Sequence, residues 1–196
     1  KNLFLKNVLK NASKIIVLNE DYKKLISIEY RINKKKIIVI PNATNFKIVK
    51  KIKMSNKVSN LLFVGRLSVE KNILKLIEAF SLLKNKNIKL NVVGEGEKRK
   101  EIEALIKEKK LRNVILHGRK EGNELINLYK RADIFILPSE YECFSSTLLE
   151  AMAIGTPIIA SEITGTKNVV KNNYNGLLVK PTPQEIDEAI EKLIKN

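Results

Sequence analysis

The sequence has few residues of the kinds that build disulfides and metal sites. Among 196 residues there is one cysteine and one histidine. A single cysteine excludes an internal disulfide, which is typical of proteins in a reducing cytoplasm. One histidine and one cysteine are also too few for a zinc site of soft ligands. These counts argue against a zinc site and favour a cytoplasmic location. Separately, we expect no other metal ion and no cofactor.

Long apolar runs and a secretion leader are also lacking. The longest apolar runs, such as residues 132–138, are far too short for a membrane-spanning helix. No charged-then-apolar leader with a small-residue cleavage site opens the sequence, so we expect that the protein is not secreted. Hydrophobic residues make up 44% and charged residues 30% of the chain, which is typical of a packed protein and too apolar for general disorder.

Acidic residues are scarce in the first part of the chain. Residues 1–60 hold 15 Lys and Arg against 3 Asp and Glu, whereas residues 61–196 hold 22 against 18. Such a segment favours either an anionic partner, as in peripheral contact with the inner membrane surface, or a solvated lysine-rich surface, and we prefer the second. Aromatic residues do not alternate with these lysines as in a single-strand-binding platform, so we expect no nucleic-acid partner.

Short β-branched segments alternate with amphipathic segments from residue 60 onward. Near-continuous apolar runs are typical of parallel strands buried on both faces. These runs predict six strands, at 60–65, 88–93, 113–117, 133–137, 157–161 and 176–179. Helical spacing of apolar residues between them, as at Leu76, Ile77 and Phe80, completes a β-α-β rhythm. The rhythm predicts an α/β fold with a doubly wound parallel sheet.

The first 45 residues predict a smaller unit. Its predicted elements are a basic helix end, a strand, a helix and a second strand, at 1–11, 14–18, 21–31 and 37–40. One β-α-β unit is too small to hold a core of its own, so we interpret residues 1–45 as the tail of a preceding domain. Residues 46–60 are predicted to be a linker, and residues 61–196 a full domain.

A glycine and two basic residues follow the first predicted strand of the larger domain. The ligand of an open parallel sheet lies at the carboxyl ends of its strands, so the loop from Gly65 to Lys71 faces the site. Gly65 lets the backbone approach a phosphate, and the next helix offers free N–H groups. Arg66 and Lys71 carry charges suited to a pyrophosphate and to a leaving diphosphate. The alternative is that both are solvated loop charges.

Two glutamates flank the predicted start of a helix after the strand at 133–137. Glu142 lies in the loop and Glu150 about one turn inside the helix, for which Ser145 or Ser146 is a suitable N-cap. A carboxylate accepts two neighbouring hydroxyls well, so one glutamate suits a ribose and the other a sugar ring. The alternative is a loop charge and an exposed helical glutamate, which is the better interpretation of the pair taken by itself.

Three motifs in order make the sequence similar to a known family. They are Gly65-Arg66-Leu67-x-x-Glu70-Lys71, then Gly94-Glu95-Gly96, then Glu142-x7-Glu150-Ala151-Met152-Ala153-x-Gly155-x-Pro157. From residue 14 onward the chain resembles the retaining family-4 glycosyltransferases, which have the GT-B architecture of two Rossmann-like domains around a cleft. The resemblance implies that residues 61–196 are the C-terminal, donor-binding domain. Residues 14–45 would be the end of the N-terminal, acceptor-binding domain.

The resemblance also implies a role for each matching residue. Arg66 and Lys71 would contact the donor diphosphate. Glu142 would hold the donor sugar hydroxyls and Glu150 the ribose, with Arg66, Lys71 and Glu142 as the catalytic set. The other donor contacts that it implies are Gly65, Gly94, Gly96, His117, Gly118, Arg119, Cys143, Phe144, Ser145, Ser146 and Thr147.

The same resemblance indicates the substrates. The donor would be a UDP-, GDP- or ADP-activated hexose, and the acceptor a glycan or lipid bound by an absent domain or subunit. Retention of configuration would follow from attack by the acceptor on the same face of the sugar. We therefore expect this chain to bind donor but to transfer sugar poorly by itself.

The sequence departs from the family pattern at several positions. The usual Gly-Phe-Gly after the first glutamate is Cys143-Phe144-Ser145, so the sugar preference is not carried over. The later Gly-Gly-x-x-Glu segment has Asn168 in place of the acid, although Gly165 still allows a backbone approach to the ligand. For Cys143 we prefer a packing role over a reactive thiol. For His117 we prefer packing or a local hydrogen bond over a ligand contact.

Other functions compete with this interpretation. Gly94-Glu95-Gly96 begins like a dinucleotide fingerprint, but Arg99 replaces the third glycine and no acid follows about twenty residues later, which argues against NAD. A nucleotide-sugar-binding module that lacks catalysis, or needs a partner chain, is the alternative to the enzyme. A third hypothesis is an adaptor that binds anionic surfaces through the basic residues 1–60.

Overall fold

The computed structural model describes residues 3–46 and 58–195. The chain divides into two compact units, residues 1–43 and residues 44–196. Most of the predicted linker at 46–60 lies outside the described residues, which stop at 46 and resume at 58. The two units are therefore described separately.

The first unit is a β-α-β arrangement preceded by a helix. Its elements are α1 (Leu3–Asn11), β1 (Ile15–Val17), α2 (Glu20–Glu29) and β2 (Ile37–Val39). The two strands pair in parallel. Asn19 begins α2 because its side-chain oxygen accepts the Tyr22 N–H at 2.9 Å. Contrary to the prediction of no core, the unit buries a small cluster, formed by Ile15, Val17, Ile32 and Ile37.

The second unit alternates strands and helices as the sequence predicts. Its elements are β3 (Asn60–Val64), α3 (Ile73–Leu82), β4 (Lys89–Val93), α4 (Arg99–Glu108), β5 (Val114–Leu116), α5 (Gly122–Arg131), β6 (Ile134–Leu137), α6 (Ser146–Ile154), β7 (Ile158–Ser161), α7 (Thr164–Lys167), β8 (Leu177–Val179) and α8 (Pro183–Lys195). All six predicted strands are present, and each end lies within one residue of its predicted position. The predicted α/β fold with a parallel Rossmann-like sheet is confirmed.

The strand order places a reversal of winding at the centre of the sheet. The six strands pair in parallel in the order β5-β4-β3-β6-β7-β8. From β3 the chain moves outward through β4 to β5, then returns to β6 on the other side of β3 and moves outward again to β8. In open α/β sheets, ligands bind beyond the carboxyl ends of the strands where the winding reverses. The winding reverses between β3 and β6, so the gap between the loops that follow these two strands is the candidate ligand site.

The two central strands form the core of the second unit. The side chains of Leu61, Phe63 and Phe135 are fully buried, and α3 adds Leu76 and Ile77, which are also fully buried. Because both faces of the sheet are covered, these strands are continuous apolar runs and do not alternate with polar residues. None of the helices within residues 3–46 and 58–195 is long and apolar enough to cross a membrane.

Candidate functional site

The loop after β3 packs closely against the loop after β4. Leu67 N–H donates to the Glu95 carbonyl at 2.9 Å, as a continuation of the strand pairing. A Cβ atom at Gly94 would collide with the Gly65 carbonyl, and one at Gly96 would collide with the Leu67 carbonyl. Gly94 also has φ of 137°, which side chains rarely adopt. These glycines are therefore needed for the backbone of the two loops to meet at the carboxyl edge of the sheet.

The turn after β5 reaches the same edge through backbone contacts. The Gly118 carbonyl accepts the Gly94 N–H at 2.8 Å. His117 Nε2 lies 2.9 Å from Asn91 Oδ1 on the neighbouring strand β4. Burial, with a further contribution from the charge of Lys120, lowers the pKa of His117. With this lowered pKa the imidazole is mainly neutral at pH 7. Its hydrogen bond to Asn91 ties it to β4.

The two arginines predicted for the site are both exposed. Arg119 Nη2 lies 2.5 Å from Glu121 Oε1, with the Arg119 side chain 80% exposed. Arg66 is exposed and forms no ion pair with any other residue that the structure describes. A guanidinium in this state can meet an anion without first losing a protein partner. Of the two, Arg66 lies in the loop after β3 and is the better placed for a ligand at the reversal.

Asn72 ties the loop after β3 to the loop after β6. A short 3-10 turn (Val69–Lys71) ends at Asn72, whose φ of 52° is left-handed. Asn72 Nδ2 donates to the Pro138 carbonyl at 3.0 Å, and the side chain is buried. The Glu140 N–H also donates to the Glu70 carbonyl at 2.8 Å. Each of the two loops therefore donates one hydrogen bond to the other.

Lys71 and Glu142 meet across the gap between these loops. Lys71 Nζ lies 2.5 Å from Glu142 Oε1, and the two side chains are only 21% and 10% exposed. The same oxygen accepts the hydroxyl of Ser139 at 2.9 Å, and Ser139 is fully buried. Oε1 takes both contacts, and none of the residues that the structure describes forms a hydrogen bond with Glu142 Oε2.

Gly165 in α7 supports Glu142 from its backbone side. A Cβ atom at Gly165 would collide with the Glu142 carbonyl and approach its Cβ. The α7 turn begins directly after β7 and lies against the loop that follows β6. Glu142 is therefore held at its carboxylate by Lys71 and Ser139 and at its main chain by Gly165.

The amino end of α6 lies directly after this loop. Ser145 is the N-cap, and its Oγ accepts the Leu148 N–H at 3.4 Å. The N–H groups of Ser146 and Thr147 have no partner within the helix, so this end attracts an anion. The loop that leads to it holds two further predicted residues, Cys143 and Phe144, both half-buried. These residues share the carboxyl edge of the sheet with Lys71.

Glu150 lies inside α6 and contacts a buried tyrosine. Tyr129 Oη donates to Glu150 Oε2 at 2.7 Å. Burial raises the pKa of Glu150, and the hydrogen bond from Tyr129 opposes that shift. Burial and the neighbouring carboxylate raise the pKa of Tyr129 well above its ordinary value. Glu150 is therefore not the exposed helical glutamate of the alternative interpretation.

Comparison with known proteins identifies the family. A family model described as "Glycosyl transferases group 1" matches residues 44–196, which is most of the chain. The chain belongs to this family.

Relatives of this group 1 member are found in several organisms. An uncharacterized glycosyltransferase of Methanocaldococcus jannaschii is 31% identical over 195 residues, which cover 98% of this chain and 53% of the relative. The UDP-Gal:alpha-D-GlcNAc-diphosphoundecaprenol alpha-1,3-galactosyltransferase of Escherichia coli is 29% identical over 204 residues, covering 95% of this chain and 51% of the relative. The chain spans about half the length of these relatives.

Solved structures resemble the group 1 member as well. Sucrose-phosphate synthase from Thermosynechococcus elongatus superposes with a TM-score of 0.85 and 28% identity, covering 98% of this chain and 51% of that one. This agreement extends over the whole parallel sheet of the second unit and supports the Rossmann-like assignment.

Three residues of the site in this group 1 member were not predicted from the sequence. Ser139 and Asn72 occur in loops where their polar side chains had no visible partner, and Tyr129 belongs to the apolar stripe of α5 and is typical of a core residue. Within residues 3–46 and 58–195, no three His, Cys, Asp or Glu side chains lie close enough together to hold a metal ion.

Proposed function

We propose that this chain is the donor-binding part of a retaining glycosyltransferase that uses a UDP-, GDP- or ADP-activated hexose. The observation that carries the proposal is the Lys71–Glu142 ion pair, because it places a cation beside a carboxylate at the reversal of the sheet. Membership of the group 1 family supports it. So does the name of the Escherichia coli relative, which includes UDP-Gal.

The diphosphate of the donor would lie beside Arg66, Lys71 and the amino end of α6. Arg66 is exposed in the loop after β3, Lys71 is half-buried beside it in sequence, and the free N–H groups at the start of α6 face the same edge. Arg66 and the helix N-terminus offer an unshared positive charge and N–H donors to a nucleoside diphosphate, and Lys71 adds a charge that it shares with Glu142, so we expect no metal ion. The same groups would stabilise the charge that develops on the leaving diphosphate.

The sugar and the ribose would each be held by one glutamate. Glu142 Oε2 would accept sugar hydroxyls, while its other oxygen stays bound to Lys71 and Ser139. Glu150 would accept the ribose hydroxyls. Lys71 would thereby link the two parts of the donor, because it contacts the sugar-binding carboxylate and lies close to the leaving group.

Transfer breaks the bond between the sugar C1 and the oxygen of the β-phosphate, and its electron pair remains on the diphosphate. The acceptor hydroxyl oxygen forms the new bond to C1, and its proton passes to the departing diphosphate oxygen. We propose that the acceptor attacks the face that the diphosphate leaves, so that the configuration at C1 is retained. Glu142, Arg66 and Lys71 orient and stabilise the donor in this step, and no covalent sugar–enzyme bond is formed.

The acceptor, a glycan or lipid, would be bound by another part of the protein or by a partner subunit. The chain spans about half of its relatives, and the residues described above all serve the donor. The isolated chain is therefore expected to bind nucleotide sugars and to transfer them slowly. Efficient transfer by this chain alone to an added acceptor would contradict this division of roles.

Calorimetric titration of the chain with UDP-, GDP- and ADP-glucose tests the proposal. One of the three is expected to bind, and Arg66→Ala is expected to weaken it roughly tenfold, because one charge-assisted contact is lost. Arg112→Ala is the matched control, since Arg112 is exposed and precedes β5 at the opposite edge of the sheet. It removes the same charge and is expected to leave affinity unchanged.

Two results would overturn the proposal. The first is a folded chain that binds none of the three nucleotide sugars. The second is an equal loss of affinity in Arg66→Ala and Arg112→Ala, because that would indicate general attraction of an anion to a basic protein and no built site.

A further inference from the structure

Tyr129 is packed within the core of the second unit. It lies near the end of α5, and its side chain is fully buried. Its ring packs edge-on against Phe46, with centroids 5.6 Å apart, and at a tilt against Phe135, with centroids 5.5 Å apart. Two aromatic neighbours fix the ring plane, so the direction of the hydroxyl is set by the core and not by the site.

The Tyr129 hydroxyl meets two acceptors, both on α6. Glu150 Oε2 lies at 2.7 Å and the Thr147 carbonyl oxygen at 3.3 Å. A hydroxyl has one proton to donate, and a charged acceptor at the shorter distance is the stronger partner. The proton therefore goes to Glu150, whose second oxygen is left for another donor.

The environment of Glu150 makes an ionised carboxylate costly, so its charge does not stabilise the fold. The side chain is half-buried, and it forms no ion pair with any residue among those that the structure describes. A neutral residue at this position would avoid the cost of desolvation. Glu150 therefore contributes little to stability through its charge, and a role in binding a ligand is a reason for a carboxylate at this position.

We propose that Tyr129 is a positioning residue, which holds Glu150 Oε2 so that Glu150 Oε1 points to the ribose hydroxyls of the donor nucleotide. This inference rests on the proposed function, and it adds a residue that does not itself touch the ligand. Without the hydroxyl, the carboxylate could rotate about its terminal bonds, and the ribose would lose an oriented acceptor.

The test compares nucleotides with and without ribose hydroxyls. UDP, GDP and ADP, and the 2′,3′-dideoxy form of each, are titrated into the wild-type chain and into Tyr129→Phe. The wild type is expected to prefer the hydroxylated form of the nucleotide it binds. Tyr129→Phe is expected to bind that form roughly five- to tenfold more weakly, with no change for the dideoxy form.

Two further variants separate positioning from general loss of structure. Phe46→Leu disturbs the same aromatic packing but keeps the hydroxyl, so it is expected to lower stability and to leave the preference for ribose unchanged. In a Glu150→Gln background, Tyr129→Phe is expected to cause little further loss, because the group through which it acts is already altered.

The outcomes distinguish this inference from the proposed function. If the wild-type chain binds none of the nucleotides, the proposed function fails. If the wild type prefers the hydroxylated form but Tyr129→Phe weakens both forms equally, or neither, the proposed function stands and the role of Tyr129 is overturned. Additive losses in the double variant would also overturn it.

Discussion

Lys71 Nζ and Glu142 Oε1 lie 2.5 Å apart although 71 positions separate them along the chain. The pair joins the loops after the two central strands, and the sheet winds in opposite directions on its two sides. Its position follows from the strand order, since β3 and β6 are neighbours. A cation and a carboxylate are thereby fixed at the one place where an open α/β sheet usually receives its ligand.

The Lys71–Glu142 pair is expected to be coupled more strongly than a surface pair. A double-mutant cycle with Lys71→Met and Glu142→Gln, measured by chemical denaturation, is expected to give roughly 1–3 kcal/mol, because both side chains are largely buried. Lys75 and Glu140 form a matched pair with side chains 38% and 52% exposed. Its coupling is expected to be about 0.2–1 kcal/mol. Equal coupling energies in the two pairs would contradict the prediction that burial strengthens the Lys71–Glu142 pair.

Asn72 is expected to tolerate glycine better than alanine. Both substitutions remove the hydrogen bond to Pro138, at a cost of about 1–3 kcal/mol. Only alanine adds strain, because φ is 52° there. After allowance for the greater unfolded-state entropy of glycine, Asn72→Gly should be roughly 0.5–1 kcal/mol more stable than Asn72→Ala.

Lys110 provides the control for the backbone part of this effect. It is exposed and has φ of 53°. Lys110→Gly should be more stable than Lys110→Ala by about as much as Asn72→Gly is more stable than Asn72→Ala. A difference at Lys110 but none at Asn72 would show that the backbone around Asn72 relaxes on substitution.

Gly165→Ala is expected to weaken donor binding. Helix propensity by itself favours alanine by up to about 1 kcal/mol. The added methyl group would nevertheless collide with the Glu142 carbonyl, so we expect a net loss of about 1–3 kcal/mol of stability and a displaced Glu142. Lys167→Ala, on the exposed side of the same helix, should change stability by less than about 0.5 kcal/mol. Denaturation and calorimetry of both variants measure this, and stabilisation by Gly165→Ala would disprove the contact.

Glu150→Gln is expected to stabilise the protein in a pH-dependent manner. Burial raises the pKa of Glu150, so the folded state binds this proton more tightly than the unfolded chain does. The ionised side chain therefore destabilises the fold at neutral pH. That penalty is absent below the ordinary glutamate pKa, where both states are protonated, and it is complete above the raised pKa.

Thermal denaturation as a function of pH measures this effect. Glu150→Gln should unfold at a higher temperature than the wild type at pH 7 and lose that advantage below about pH 4. Glu78→Gln, on the exposed side of α3, removes the same charge and should be close to neutral at both pH values. The same gain at acid pH as at pH 7 would exclude ionisation as its cause.

Several features of the fold and the site were predictable because they depend on local sequence. Strands buried on both faces require continuous apolar runs, which is why all six strands lie where expected. The sequence suggested Ser145 or Ser146 as the N-cap of α6, and the structure selects Ser145, whose Oγ accepts the Leu148 N–H. For His117 the sequence suggested packing or a hydrogen bond but no partner, because Asn91 belongs to a neighbouring strand.

The sequence by itself determined the alternation of strands and helices, the residues at each strand end and the family motifs, because these are properties of consecutive residues. Only the tertiary structure decided the strand order and, with it, that Lys71 meets Glu142, that Gly165 supports the Glu142 main chain and that Tyr129 holds Glu150. Each of these contacts joins different strand–helix units. Their distances depend on how the sheet is wound, which no local pattern of residues encodes.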